Sequence, residues 1–375
     1  MSKKKICFIA QFPPPMHGLS KAVESFYNSR LNSNFNENGK YLFEKVNITK
    51  NKDLIGNIYK IICSRADLYY LTISQTKLGN IRDLVIIGIL KILKKKCIIH
   101  LHGGYYRNLI ENDVSTVQKK LNYYLVGKLE CAIVLSESLK KIFEGIIPQE
   151  KIYIVSNCVD DEFLVSQNTF EKKLFVEGDK EVKHILWLSN FIRSKGYQTV
   201  LEMAKLEQGR VSNGGEKKYH FDFAGKFFSK EEKEEFFSYI EDNKLEEFIT
   251  YHGVVGGTQK KELLEKASVF ILPTIYPNEG QPISILEAMG NGLFVITTNH
   301  AAIPDYIIDG ENGILIDKNC INAKKIYEQL LSYDIHKFKD IQIRNRGIVL
   351  EKYTEEIYIN SLEYILDTIF GKEKQ

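Results

Sequence analysis

The feature that most constrains this fold is a rhythm that runs, pauses and restarts. Short apolar runs alternate with amphipathic helical stretches. In the first half the runs are 6–10, 41–48, 66–73, 97–102, 131–136 and 152–157, and helical patterns at 21–30, 83–94, 117–129 and 139–144 separate most of them. A polar stretch, 160–181, has little periodicity and reads as a linker. The rhythm then resumes with strand-like runs at 184–189, 220–224, 248–252, 269–273, 293–298 and 313–317. Alternation of this kind is the mark of β-α-β units winding a parallel sheet with helices on both faces. The expected class is therefore α/β, with two Rossmann-like domains in series: 1–165, and 166–354, with a last amphipathic helix over 355–375 assigned to the first. A chain of 375 residues suits two domains. Such sheets take ligands at the carboxyl ends of their strands.

Composition excludes several classes. A formal net charge of +3 is too small for a bulk nucleic-acid binder, which needs dense positive charge. The six cysteines have no CxxC or Cys/His ligand spacing. Cys7, Cys97 and Cys131 fall in apolar strand runs, where a free thiol acts as a small hydrophobe, so a reducing cytoplasm is expected. The run Ile6–Ala10 is too short for a signal-peptide core, and no apolar run reaches the length of a membrane span.

The most informative stretch is Leu272-Pro273-Thr274-Ile275-Tyr276-Pro277-Asn278-Glu279-Gly280-Gln281-Pro282-Ile283-Ser284-Ile285-Leu286-Glu287-Ala288-Met289. A strand ends, Pro277 and Gly280 turn the chain, and a helix starts near Pro282, a residue suited to the first helical position. Glu279 then lies in the loop and Glu287 about a turn into the helix. Free N–H groups at a helix start attract phosphate, and carboxylates nearby can accept hydrogen bonds from sugar or ribose hydroxyls. Spacing alone leaves open that both glutamates merely complement the helix dipole.

The residues around the pair decide between these readings. The E-x7-E spacing, with Pro273-Thr274, Gly280, Pro282, Ala288-Met289 and Gly292, resembles the donor-site signature of the family 4 retaining glycosyltransferases of the GT-B fold. The run Ile296-Thr297-Thr298-Asn299, then Ile303-Pro304-Asp305-Tyr306-Ile307 and Asp309-Gly310-Glu311-Asn312-Gly313, is similar to its continuation. The resemblance implies two Rossmann-like domains facing across a cleft, with the C-terminal helix returning to the first. It implies that Glu279 contacts hydroxyls of the transferred sugar and Glu287 the ribose of the nucleotide. It also places Gly225, Gly280, Gln281, Pro282 and Ile283 among the donor-contacting residues.

Trp187-Leu188-Ser189-Asn190-Phe191-Ile192-Arg193-Ser194-Lys195-Gly196 ends the first strand of the second half. A cation here would neutralise a diphosphate leaving group where its charge develops. The family usually has Gly-Arg-Leu and then Lys-Gly; Lys195 and Gly196 match, Asn190 stands where the arginine sits, and Arg193 is offered out of position. In the loop Phe12–Ser20, the resemblance has Gly18 face the donor diphosphate. In Ile98–Gly104 it has His102, rather than His100, face the sugar. Ser156-Asn157-Cys158-Val159-Asp160 resembles Asn-Gly-Val-Asp at the end of the first domain, with Cys158 in place of glycine, and reads as architectural.

No Asp-x-Asp is placed at a strand end, and no His/Cys ligand cluster is visible, so metal-independent transfer without a cofactor is expected. Basic runs at Lys3–Lys5, Lys94–Lys96 and Lys119-Lys120, beside apolar helical segments such as 122–126, suggest peripheral contact with the inner face of an anionic cytoplasmic membrane. The resemblance implies transfer of a hexosyl or N-acetylhexosaminyl unit, with retention, from a nucleoside-diphosphate-sugar to a glycan or lipid-linked glycan acceptor in bacterial surface polysaccharide synthesis. A sugar-nucleotide epimerase of the same fold and a non-catalytic partner subunit are the rival readings.

Overall fold

A computed structural model of the chain describes residues 3–14, 18–50, 53–176 and 182–371. The first half forms β1 (Lys4–Ala10), α1 (Gly18–Asn28), β2 (Tyr41–Asn47), α2 (Leu54–Cys63), β3 (Leu68–Thr72), α3 (Lys77–Ile92), β4 (Lys96–His100), the single-turn helix α4 (Tyr106–Asn108), α5 (Thr116–Val126), β5 (Cys131–Val134) and β6 (Ile152–Ile154). After α6 (Gln167–Val176) come β7 (Lys183–Leu188), α7 (Tyr197–Ser212), β8 (Tyr219–Ala224), α8 (Lys230–Asp242), β9 (Ile249–Tyr251), α9 (Gly257–Lys266), β10 (Val269–Leu272), α10 (Ile283–Gly290), β11 (Phe294–Thr298), β12 (Gly313–Ile316), α11 (Ala323–Leu331), α12 (Ile335–Lys352) and α13 (Glu355–Gly371).

All twelve expected strands are present, mostly trimmed by one to three residues at their ends. They form two parallel six-stranded sheets. The first has order β2-β1-β3-β4-β5-β6 and the second β12-β11-β10-β7-β8-β9. Central strands are buried along nearly their whole length, as in Leu68–Thr72 and Phe294–Thr298, which is why they read as continuous apolar runs rather than alternating ones.

The chain divides into two compact units. One holds the residues up to Cys158, the short segment Asn278–Gln281 and everything from Glu355; the other holds Val159–Pro277 and Pro282–Thr354. The expected boundary at 165/166 thus differs from the observed one. Val159 forms a β-bridge with Thr354 and donates its N–H to the Tyr353 carbonyl at 2.9 Å, and Phe163 is buried in the second core. The expected linker 160–181 also differs. Gln167–Val176 is helical, and Phe170 is buried where a Cβ on Gly292 would lie 2.1 Å from its ring. Residues 177–181 of that stretch lie outside the described residues. The pattern at 139–144 forms a 3-10 segment, Glu137–Phe143.

Helix α13 belongs to the first unit, as expected of the final helix. Tyr358, Ile359, Leu362, Ile365, Leu366, Ile369 and Phe370 form its buried face, in one core with Phe8, Phe26 and Tyr70. Each such side chain contributes roughly 1.5–3 kcal/mol on burial. The exposed pairs Arg30–Glu363 at 2.6 Å and Lys40–Asp367 at 2.5 Å each add ~0–1 kcal/mol, so the apolar stripe seats the helix and the ion pairs set its register.

Candidate functional site

In the second unit the strand order reverses between β7 and β10. Successive connections leave these neighbours in opposite directions, so a crevice opens at their carboxyl ends, where doubly wound sheets take their ligands. Two loops meet there. The one after β7 carries a 3-10 turn, Arg193–Lys195, ended by Gly196 at φ +79°. The one after β10 runs from Pro273 to the start of α10. They touch backbone to backbone: the Ile275 N–H donates to the Ser194 carbonyl at 2.7 Å, and a Cβ on Gly196 would lie 2.5 Å from the Pro273 oxygen. Only a glycine admits this approach.

Lys195 is held by that contact. The buried Trp187 donates its indole N–H to the Lys195 carbonyl at 3.3 Å, and the ammonium lies 4.7 Å from the Tyr276 ring centroid. A cation over an aromatic face, at the mouth of a switch point, suits an anionic ligand. Strand β11 pins the facing loop. Thr297 donates to the Leu272 carbonyl at 2.8 Å, Thr298 to the Thr274 carbonyl, and His300 Nε2 lies 2.8 Å from the Tyr276 carbonyl. The threonines quoted in the sequence signature thus have a structural task. Tyr276 carried no separate signal in the sequence, because only the pairing of β7 with β10 brings it to Lys195.

Glu287 is the fifth residue of α10, buried, with one oxygen 2.5 Å from Lys260 Nζ. Lys260 projects from α9 and its ammonium stands 4.0 Å from the Phe163 ring centroid. Sequence reasoning missed Lys260, since nothing in its spacing ties it to Glu287. Pro282 occupies the cap position and Ile283 opens the helix, one residue later than the spacing suggested. Gly225 follows β8 at φ +148°, and a Cβ there would lie 1.6 Å from the Ser189 oxygen. Its conformation lets the loop after β8 run beside the loop after β7. Asn190 is exposed. The Arg193 guanidinium is engaged by both oxygens of Glu235 at 2.6 Å, a pairing on α8 that competes with any role toward phosphate.

The remaining expected residues belong to the first unit. His102 follows β4, its ring 3.9 Å from that of the buried His100, which bonds Tyr70 at 2.7 Å. Burial, then the neighbouring His102, holds His100 well below the ordinary histidine range. Glu279 is buried. Beside it, a Cβ on Gly280 would lie 2.9 Å from the His102 carbonyl oxygen, and one on Gly103 would lie 2.6 Å from the Asn278 oxygen. Gln281 accepts the Asn157 N–H at 2.7 Å, and its own carbonyl accepts the Asn157 amide at 2.8 Å. Asn157, read from sequence as architectural, anchors the loop that carries Glu279. Gly18 is the first residue of α1 and exposed; Pro15-Met16-His17 before it lie outside the described residues.

The sheet register also assembles a group that sequence spacing concealed. His184 pairs with His220 across β7 and β8. Asp222 accepts from His184 Nδ1 at 2.6 Å and from His252 Nε2 at 2.7 Å. Ligand atoms of His184, His220 and Asp222 lie within 4.8 Å of one another. Both Asp222 oxygens are already bonded, so the group reads as a satisfied network. It lies toward the amino end of β7, away from Lys195. Burial pushes His220 down to about 4 from 6.5. A depressed histidine stabilises the fold above its unfolded pKa, and that stability is lost as pH falls from 6.5 through about 4. His220→Asn is expected to flatten this acid loss by about 1–2 kcal/mol, after discounting for partial exposure. Urea unfolding midpoints between those pH values check it, and parallel curves for both proteins would contradict it.

Residues 168–334 match the family described as glycosyl transferases group 1. The protein named colanic acid biosynthesis glycosyltransferase WcaL of Salmonella typhimurium is 28% identical over 137 residues, which cover 35% of this chain and 33% of that protein. The matched region thus spans about a third of that relative's length. An uncharacterized 41.2 kDa protein in the cps region of Klebsiella pneumoniae is 24% identical over 352 residues, covering 84% of this chain and 92% of it. Among solved structures, Anabaena Alr3699/HepE in complex with UDP superposes with a TM-score of 0.74 at 14% identity, over 97% of this chain and 100% of that one. Two six-stranded parallel α/β units of this kind are the GT-B architecture.

Proposed function

We propose that this chain is a retaining glycosyltransferase of family 4, which moves a hexosyl or N-acetylhexosaminyl unit from a nucleoside-diphosphate-sugar to a hydroxyl of a bacterial surface polysaccharide in assembly. The observation that carries the proposal is the placement of Lys195 against Tyr276 at the β7/β10 switch point, with Glu287 on the helix that leaves the same loop. The names of the relatives support the class of activity, and the UDP bound by HepE supports a nucleotide donor.

On this reading Lys195 meets the diphosphate and Glu287, beside Lys260, meets the ribose. Glu279 and His102 meet hydroxyls of the transferred sugar, and Gly18, Gly225, Gly280, Pro282 and Ile283 let backbone approach the donor. Charge develops on the departing phosphate oxygen as its bond to the anomeric carbon breaks, and a preorganised ammonium lowers the energy of that state. The acceptor oxygen bonds to the same face of the carbon, and its proton passes to the departing phosphate. The reaction is proposed to run without a metal ion, and EDTA is expected to leave its rate unchanged. A glycan or lipid-linked glycan is the proposed acceptor, at the cytoplasmic side of the membrane.

The deciding experiment screens UDP-, GDP- and ADP-sugars by thermal shift and then measures transfer with the one that binds. A ligand at 100 times its Kd stabilises the folded state by about 2.7 kcal/mol. Glu279→Gln is expected to keep the thermal shift given by the bare nucleotide while transfer falls about 100-fold. No shift with any nucleotide, or full transfer by this variant, would overturn the proposal. Nucleotide release without any acceptor, with the sugar epimerised, would favour the epimerase reading.

A further inference from the structure

The helical layer formed by α2, α3 and α5 of the first unit presents an apolar outer surface. On α2, Ile55, Tyr59 and Ile62 are exposed; on α3, Leu78, Ile81, Val85 and Ile92; on α5, Val117, Leu121 and Tyr124. The spacing is helical in each case, i, i+4, i+7 on α2 and α5, so each helix turns one apolar stripe outward as well as one inward. The exposure is large: Ile55 is 85% accessible, Ile92 81% and Leu78 74%. The helices are neighbours, since α3 packs on both α2 and α5, and Lys91 on α3 lies 3.6 Å from the Tyr124 ring centroid on α5. An apolar face of this extent is uncommon on a protein surface unless something covers it.

Charge says what covers it. Within the three helices the one carboxylate is Asp83, which is buried and paired with Arg82 at 2.8 Å. Lys60, Lys77 and Lys120 are exposed on the same helices, Lys94 stands just past the end of α3 and Lys128 just past the end of α5. The acid-rich α8, with six Glu and Asp residues in thirteen, shows that the bias is local. A second copy of the same face would set lysine against lysine. Among the described residues no helix is long and apolar enough to cross a membrane. Of the basic runs read from the sequence, Lys3–Lys5 and Lys119 drop out, because Lys4 pairs with Asp67, Lys5 with Glu44 and Lys119 with Glu111.

We propose that the outer surface of α2, α3 and α5 seats on an anionic phospholipid bilayer, with the isoleucines and leucines at the acyl boundary, Tyr59 and Tyr124 at headgroup level and the rim of lysines on the lipid phosphates. Apolar burial and lysine–headgroup attraction act together in such binding, and salt screens only the second. None of the residues of this surface is given a role toward the donor, so its failure and that of the transferase reading are separable.

Flotation with vesicles tests it. The full chain is expected to float with vesicles holding 30% phosphatidylglycerol and not with pure phosphatidylcholine, and to lose at least half of its binding between 50 and 500 mM NaCl, on the order expected for surface lysines. Ile55→Ser/Leu78→Ser/Ile92→Ser is expected to cut partitioning about 10-fold or more, and Lys94→Glu/Lys120→Glu/Lys128→Glu likewise at low salt. Circular dichroism and unchanged nucleotide-dependent thermal shifts check that both variants stay folded. Absence of flotation with phosphatidylglycerol vesicles, or flotation untouched by both variants, would overturn the proposal. So would a concentration-dependent dimer that the serine variant dissolves while no vesicle binds, because the face would then belong to a second copy.

Discussion

Lys195→Ala is expected to lower kcat for sugar transfer by about 100- to 1,000-fold, or ~3–4 kcal/mol of transition-state stabilisation. The ammonium stands over Tyr276 at 4.7 Å, positioned before any ligand arrives. Its effect should be concentrated where negative charge appears on the leaving diphosphate, so kcat should fall more than KM rises. The other candidates in the same loop are poor substitutes: Asn190 is neutral, and Arg193 is taken up by Glu235 at 2.6 Å. The side chain is partly exposed, and the turn is held through its carbonyls by the Trp187 indole N–H and the Ile275 backbone N–H. Stability should therefore stay within about 0.5 kcal/mol of the parent. Tyr276→Leu, which removes only the ring, is expected to cost about 3- to 10-fold, the size of a partly exposed cation–π contact. Transfer by Lys195→Ala within threefold of the parent would place the diphosphate elsewhere.

Gly225→Ala is expected to give the largest loss of stability of any single methyl addition at the site. The added carbon would lie 1.6 Å from the Ser189 oxygen, at φ +148°, so both the backbone conformation and the space oppose it. Strain of this kind costs about 1–3 kcal/mol, and separating two packed loops adds to it. A total near 4 kcal/mol would lower the melting transition of the second unit by roughly 8–16 °C. Gly253→Ala is the control. Its φ of +71° is also left-handed, but nothing lies within 4 Å of the added carbon, and a loss of only about 1 kcal/mol is expected. The loop after β8 flanks the one that carries Lys195, so Gly225→Ala should also shrink the nucleotide-dependent thermal shift. Equal melting temperatures for the two variants would show that the close approach at Gly225 does not hold these loops.

Much of the fold was legible because parallel strands buried on both faces must be apolar along their length, and because helices between them must be amphipathic. That rule located the strands and the final helix. It failed at 160–181, where the helix Gln167–Val176 hides in a polar stretch because its seat depends on Phe170 meeting Gly292. It also left the division of the chain misplaced, since Val159 joins the second unit by pairing with Thr354, a partner far along the chain.

The site divides in the same way. The local placement of the candidates Glu287, Lys195 and Gly196 was legible because the elements that position them, a strand end, a turn and a helix start, leave their residues at short spacing. Strand order is decided by which apolar edges pair, and no local pattern encodes it. The reversal between β7 and β10, the Tyr276 ring beside Lys195, the Lys260 partner of Glu287 and the histidines around Asp222 all follow from that order. The sequence by itself determined two wound α/β units and the residue types at their strand ends. Only the tertiary structure decided which strand ends are neighbours, because long-range packing brings together side chains that are separated by tens of residues along the chain.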